Sequence, residues 1–202
     1  MASSGSSLRG QDFVVAASIS THHLWKKVRE IGGAYGAGFV FDASGLFCFT
    51  SFRDPQLVKT LRAYKETPAF LRKWAASMTE SDVRRAIIAV LRDLDAPLPS
   101  DQKGTKSLWQ LIARQTEAHR RQFRKEILST TPADFVSFAE RLEEALLSEQ
   151  GQHVAVVGSE DACNEAEKSD PSLSLKVIDV FNENASKTNS RGMQNDTQVI
   201  SA

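Results

Sequence analysis

Glycines and one tyrosine crowd a short stretch where a helical pattern passes into a strand pattern. Gly32, Gly33, Gly36 and Gly38 flank Tyr35 there. Glycine reaches backbone conformations that other residues rarely adopt, so the cluster suits either a turn or a place where another polypeptide comes close. Because glycine is common at helix ends, composition alone favours the turn.

The same stretch lacks the features of a nucleotide site. "GGAYGAG" has no Lys-Ser/Thr pair of the kind that a phosphate-binding loop requires. It also follows a helix, whereas a dinucleotide fingerprint follows a strand. We therefore predict no nucleotide cofactor.

The histidines are the other residues whose types could do chemistry. His22 and His23 are adjacent, and His119 is distant in sequence. Adjacent residues point about 100° apart on a helix, so they do not readily share one ion. The sequence contains neither H-E-x-x-H nor H-x-x-E-H, and it has no nucleophile-elbow or Cys-His signature. It therefore predicts no catalytic residue, no metal ligand and no cofactor in this chain.

Composition limits the classes of partner. The chain has 202 residues, and its 25 Lys and Arg balance 25 Asp and Glu, which argues against bulk nucleic-acid binding. The basic segment 119–126 is interpreted as a solvated helix face. Cys48 and Cys163 lie far apart, which indicates a reducing, intracellular compartment. No apolar run reaches transmembrane length, so no membrane partner is predicted.

The elements that must position the glycine-rich stretch follow from periodicity and capping signals. Residues 12–31 are predicted as a helix and residues 36–52 as a hairpin that turns at 43–45. Helices are then predicted to begin near Asp54, Thr67, Thr79 and Thr131, and a long helix is predicted over 105–129. The remaining predictions are strands at 153–158 and 174–181 with a short helix between them.

This order predicts an α+β fold, with a small, mostly antiparallel sheet and helices packed on one face. We expect a flexible lead at 1–11, one domain at 12–181, which the resemblance described next implies is partial, and a disordered tail at 182–202.

Several motifs resemble the C-terminal part of the presequence proteases, which belong to the pitrilysin/insulinase-type zinc metallopeptidase superfamily. The family pattern is a helix ending in V-R, then G-G-A-Y-G, then a Phe-rich hairpin ending in S-[YF]-R-D-P. It is matched by Val28-Arg29, Gly32–Gly36 and Ser51–Pro55. The resemblance continues through 93–104 and 120–135, and so covers most of the chain.

The resemblance implies a function for the opening stretch. Arg29 and Tyr35 match an Arg and a Tyr that bind substrate from the family's last domain. Gly33 and Gly36 would let a peptide lie close to them. The resemblance also implies a peptide substrate, an organelle (mitochondrion or plastid), and a zinc ion held by H-x-x-E-H in an N-terminal half that would be this chain's partner.

The sequence and the resemblance leave two functions open for this chain. In the first, the chain is the C-terminal substrate-binding portion of such a peptide-degrading enzyme, begins in mid-domain, and is inactive alone. It would then be a truncated gene model, a split subunit or a decayed copy. In the second, it is a non-catalytic structural or interaction module of the same superfamily.

Overall fold

The computed structural model describes residues 9–41, 46–148, 153–171, 173, 175–179 and 197–201. The first helix, α1 (Gly10–Ser18), continues directly into a π-helical segment, Ile19–Ile31. The other helices are α2 (Leu57–Lys65), α3 (Thr67–Ser77), α4 (Glu80–Leu94), α5 (Ser100–Ile112), α6 (Glu117–Leu128), α7 (Pro132–Leu147) and α8 (Glu160–Ser169). The strands are β1 (Gly36–Phe41), β2 (Phe47–Phe52), β3 (Ala155–Gly158), β4 (Leu175–Asp179) and β5 (Thr197–Ser201).

The long helix Gly10–Ile31 lies at the centre of the core. Val14, Val15, Ile19 and Leu24 are fully buried along it. The helix predicted over 12–31 is thus present, but its second half has π-type hydrogen bonding rather than the expected α-type. The wider turn changes which side chains share a face. Ile31, which α-periodicity places on the apolar stripe, is 68% exposed.

The predicted hairpin is formed by β1 and β2, which pair antiparallel with Phe39 opposite Phe49. Alternate side chains of the pair point to one face. On that face Phe39 and Phe41 both meet Phe138 of α7 edge-on, and Phe49 stacks on Tyr64 of α2. The predicted turn at 43–45 lies outside the described residues. Helices therefore cover one face of the hairpin, as expected.

Capping chemistry sets several helix starts. Thr79 accepts a hydrogen bond from the Asp82 N–H, and Asp82 accepts one from the Thr79 N–H, which is a reciprocal capping box. Thr131 and Asp134 form the same arrangement at α7. These starts are confirmed.

The single helix predicted over 105–129 is wrong. The region contains two helices, α5 and α6, separated by a turn at Arg114. The Arg114 N–H donates to the Leu111 carbonyl and the Gln115 N–H donates to the Gln110 carbonyl, which ends α5 in a Schellman motif. Thr116 then caps α6 through the His119 N–H. Arg114 has φ 52°, in the left-handed region where a helix usually ends in glycine. Because the residue is not glycine, the sequence pattern gave no sign that α5 ends here.

A second, separate sheet lies near the C-terminus. Its strand order is β3-β5-β4, and both pairings are parallel. The tail 182–202 is predicted to be disordered, yet Thr197–Ser201 forms the central strand of this sheet. Its backbone groups pair on both sides, which composition alone does not reveal. Residues 182–196 lie outside the described part of the chain.

The α+β class is confirmed, because helices pack on one face of a small antiparallel hairpin and strands recur near the end of the chain. Within the described ranges, no helix is both long and apolar enough to cross a membrane.

A buried carboxylate anchors the start of the long helix. Asp12 is wholly buried, and both of its carboxylate oxygens accept hydrogen bonds from the Arg141 guanidinium of α7. The same carboxylate accepts the Arg9 N–H at 3.2 Å. Removing one partner of a buried ion pair destabilises the folded state strongly, because the other charge is left buried without compensation.

We predict that Asp12→Asn lowers the free energy of unfolding by on the order of 3 kcal/mol, because it breaks a pair whose acidic member is buried. Chemical denaturation followed by circular dichroism would measure the change. Asp93→Asn is the matched control, since Asp93 pairs with Arg92 at the surface and should contribute less than about 1 kcal/mol. Equal losses in the two variants would contradict an anchoring role for Asp12.

Candidate functional site

The long helix ends through its own backbone at Gly33. The Gly33 N–H donates to the Arg29 carbonyl at 3.0 Å, and the Ala34 N–H donates to the Val28 carbonyl at 3.1 Å. Gly33 has φ 83°, in the left-handed region that favours glycine. The turn expected from composition therefore exists at this position. It sends the chain from the helix into β1.

An open concave surface of about 610 Å³ lies at this helix end. We call it the Arg29–Tyr35 concavity. Its lining includes Trp25, Arg29, Glu30, Gly33, Tyr35 and Arg53. Three of the four predicted site residues, Arg29, Gly33 and Tyr35, thus share one surface.

Gly36 differs from the other three predicted residues. It begins β1 opposite Phe52 and does not contribute to the concave lining. A methyl group at this position would come no closer than 4.0 Å to the Phe52 Cβ, and the backbone is not left-handed there. Its assigned role in letting a peptide lie close stays a prediction.

Arg29 is held against an aromatic ring. Its guanidinium carbon lies 3.8 Å from the centroid of the Trp25 ring, one turn earlier on the π-helical segment. Stacking of this kind orients a guanidinium while leaving its edge N–H groups free to donate. Trp25 itself is 44% exposed. The pair therefore presents an oriented cation to solvent at the mouth of the concavity.

Tyr35 is fixed through its backbone and exposed through its side chain. Its N–H donates to the Phe52 carbonyl at 3.0 Å, and its ring meets Phe52 edge-on with 6.0 Å between centroids. The side chain is nevertheless 65% exposed. A phenol held in this way is available as a hydrogen-bond donor.

Two side-chain hydroxyls bond to the backbone where the helix changes from α-type to π-type. The side-chain hydroxyls of Ser18 and Thr21 donate to the carbonyls of Val14 and Ala17, four residues earlier. Such bonds compete with the helical ladder and distort it, and here they flank the change of helix type at Ile19.

The adjacent histidines have structural contacts. The His23 ring is buried, stacks on Phe70, and donates from Nε2 to the Ala63 carbonyl at 2.9 Å. His22 packs against Trp74 instead. Burial lowers the pKa of both histidines. No group of three or more His, Cys, Asp or Glu side chains with the arrangement of a metal site occurs in the described part of the chain.

Two residues of the concavity were not anticipated as site residues. Trp25 lies within the helix predicted over 12–31, and Arg53 lies within the Ser51–Pro55 motif. The sequence signal for Trp25 was its position four residues before the cation Arg29. Arg53 could not be recognised from the sequence, because the pairing of β1 with β2 is what brings it to the helix end.

Comparison with known proteins identifies the family. The family model described as "PreP C-terminal domain" matches residues 1–160. The chain belongs to this presequence protease family. It is 38% identical over 160 residues to presequence protease 1, chloroplastic/mitochondrial, of Arabidopsis thaliana, which covers 79% of this chain and 14% of that protein.

Other presequence proteases support the same assignment. The mitochondrial presequence protease of Emericella nidulans is 34% identical over 122 residues, which is 59% of this chain and 11% of that protein. The Danio rerio mitochondrial protein is 29% identical over 163 residues, which is 81% of this chain and 15% of that protein. The chain thus spans 11–15% of the length of these presequence proteases. Their names agree with the organellar assignment made from the resemblance, which is confirmed.

The two glycines that frame Tyr35 allow a direct test of the backbone argument. We predict that Gly33→Ala lowers the free energy of unfolding by about 1–2 kcal/mol, because a Cβ is disfavoured at a left-handed position. Gly36→Ala is the control and should cost nothing or stabilise β1 by less than about 1 kcal/mol. Thermal denaturation of both variants would measure this. An unchanged Gly33→Ala melting temperature would mean that the left-handed conformation is not required.

Proposed function

We propose that this chain is the C-terminal substrate-binding portion of a presequence-protease-like zinc metalloendopeptidase, and that Arg29 and Tyr35 bind the peptide. The observation that carries the proposal is that both side chains line one open concavity although they lie on opposite sides of a helix end. The named relatives are proteases, so a peptide is the substrate class that we infer.

The two side chains supply complementary donors. The Arg29 guanidinium has several N–H groups in a planar fork, and the Tyr35 phenol has one O–H. Both suit a peptide carbonyl or an oxyanion that develops on it. In the described part of the chain neither side chain forms an ion pair, and Tyr35 is exposed, so a ligand would not have to displace an internal partner.

Zinc belongs to another part of the polypeptide under this proposal. The described residues do not fit a zinc site, because His23 is engaged in the core and the sequence has no H-x-x-E-H. Under the proposal, this chain performs no hydrolytic step by itself. Its partner would be the N-terminal, zinc-bearing half of such an enzyme.

A first experiment tests the proposed inactivity. We predict that the purified chain contains far less than one zinc ion per molecule and cleaves no peptide, because the sequence lacks the ligand set. Metal analysis by mass spectrometry and a peptide-cleavage assay would measure both. Stoichiometric zinc together with chelator-sensitive cleavage would refute the prediction.

A second experiment tests the two binding residues in the presence of the zinc-bearing half. We predict that Arg29→Ala and Tyr35→Phe each lower peptide turnover by roughly 10²-fold or less, because each removes one donor to the reacting carbonyl. Turnover is measured per folded molecule, with circular dichroism as the check on folding.

Matched controls separate donation from folding. Tyr64→Phe removes the hydroxyl of a core tyrosine that stacks on Phe49, and Arg62→Ala removes an exposed cation on α2, so neither should change turnover per folded molecule. Wild-type turnover in folded Arg29→Ala and Tyr35→Phe would reject the binding role and leave the glycine-rich stretch as a turn.

A non-catalytic interaction module is the second candidate, and α5 favours it. This helix has no buried residue, and Leu108, Trp109, Leu111 and Ile112 are each more than half exposed near its end. An exposed apolar patch of this kind is typical of a docking surface. The turnover experiment distinguishes the two functions, because a docking module does not need Arg29 or Tyr35.

A further inference from the structure

Arg53 lies in the Arg29–Tyr35 concavity with a backbone conformation that is unusual for its residue type. It follows β2 directly and has φ 49°, in the left-handed region. Non-glycine residues rarely occupy this region, and they do so where the surroundings impose it, often at ligand-binding positions.

Arg53 and Arg114 are the non-glycine residues with positive φ in the described ranges. Arg114 has a similar φ of 52°, but it occupies the position after α5 where a Schellman motif requires the left-handed conformation. Arg53 ends no helix. Its conformation instead coincides with a tether to the helix end, where the Gln56 side chain donates to the Gly32 carbonyl at 2.9 Å. The Gln56 N–H in turn donates to Asp54 at 2.9 Å, which fixes the turn that follows Arg53.

The guanidinium of Arg53 is held over aromatic rings rather than against an acid. Its central carbon lies 5.8 Å from the Tyr35 ring centroid and 5.4 Å from the Phe52 ring centroid. Many other arginines form ion pairs with carboxylates: Arg9, Arg72, Arg84, Arg85, Arg92, Arg121, Arg124 and Arg141. In the described ranges, Arg29 and Arg53 have no such ion pair, and neither do Arg62, Arg114 and Arg120, but Arg29 and Arg53 are the arginines that line the concavity.

We propose that Arg53 acts with Arg29 to recognise a carboxylate of the bound peptide, so that the site selects peptides carrying an acidic group within reach of both guanidinium groups. A guanidinium fork matches a carboxylate in bidentate geometry, and a guanidinium already held over aromatic rings loses little freedom on binding. Glu30 is the acidic residue of the lining, so the two arginines outnumber it. The inference rests on the proposed function and specifies its substrate class.

The carboxylate has two possible sources, an acidic side chain or the peptide C-terminus. Three labelled synthetic peptides distinguish them: a parent with one internal Glu and a free C-terminus, a version with Gln in place of Glu, and a version with an amidated C-terminus. Binding of each to the full chain is measured by fluorescence anisotropy. The version that loses affinity identifies the source.

The protein variants are Arg53→Gln and, as the matched control, Arg114→Gln. Both remove one charge from an exposed residue at a left-handed position, so effects on folding should be alike. We expect Arg53→Gln to weaken binding of the parent peptide about 10-fold, as for loss of a charge-assisted hydrogen bond, and Arg114→Gln to leave it unchanged. The peptide that lacks the recognised carboxylate should bind both variants and the wild type equally. A double-mutant cycle then reports a coupling energy between Arg53 and that carboxylate.

The possible failures are distinguishable. If the wild-type chain binds the peptides but Arg53→Gln weakens all three equally or none, the carboxylate role is overturned and the proposed function stands. If the wild-type chain binds none of the peptides, the proposed function fails and this inference fails with it. Arg53→Lys keeps the charge without the fork, and full affinity in that variant would exclude bidentate recognition.

Discussion

The helix Gly10–Ile31 lies inside the protein over its first half and reaches the surface at its end. Val14, Val15 and Ile19 are wholly buried, and Asp12 is bound by Arg141 of α7. Burial of this first half leaves the helix little freedom to rotate or slide, because interiors are close-packed. The position of the helix end, and hence of Trp25 and Arg29, follows from contacts made at the other end of the same helix.

The hairpin is positioned by the same helix. The Ser20 hydroxyl accepts the Phe39 N–H at 2.9 Å, which attaches β1 to the π-helical segment. Phe39 and Phe41 then meet Phe138 of α7, and α7 itself binds the long helix through Arg141 and Asp12. A two-stranded hairpin is marginal by itself and depends on such packing. The return of β2 brings Phe52 and Arg53 beside Tyr35 and completes the concavity.

The concavity combines exposed aromatic rings with cations that lack internal acidic partners. Arg29 lies over Trp25, and Arg53 lies over Tyr35 and Phe52. This arrangement orients donors without neutralising them, which suits recognition of peptide carbonyl and carboxylate groups. The chain matches the PreP C-terminal domain over residues 1–160 and spans 11–15% of the length of the compared relatives. Under the proposed function, this part binds the peptide and another part holds the zinc.

Local sequence determined the elements whose causes are local. The capping boxes at Thr79 and Thr131 satisfy helix-end N–H groups from within three residues, and they are where the sequence predicts them. The strand pattern over 36–52 predicted the hairpin that β1 and β2 form. The V-R, G-G-A-Y-G and R-D-P motifs were sufficient to indicate the family. They also singled out Arg29, Gly33 and Tyr35, which share one concavity, and Gly36, which lies beside it.

Only the tertiary structure decided the features whose causes lie far away in sequence or in the geometry of a turn. The π-helical segment turns Ile31 outward, and a Schellman motif at Arg114 divides a region that periodicity treats as one helix. Thr197–Ser201 becomes a strand because β3 and β4 offer backbone partners on both sides. Arg53 joins the concavity because strand pairing and the Gln56–Gly32 hydrogen bond bring the end of β2 to the helix end. Backbone pairing between distant segments leaves little trace in side-chain composition, and this is the physical reason that such features could not be read from the sequence.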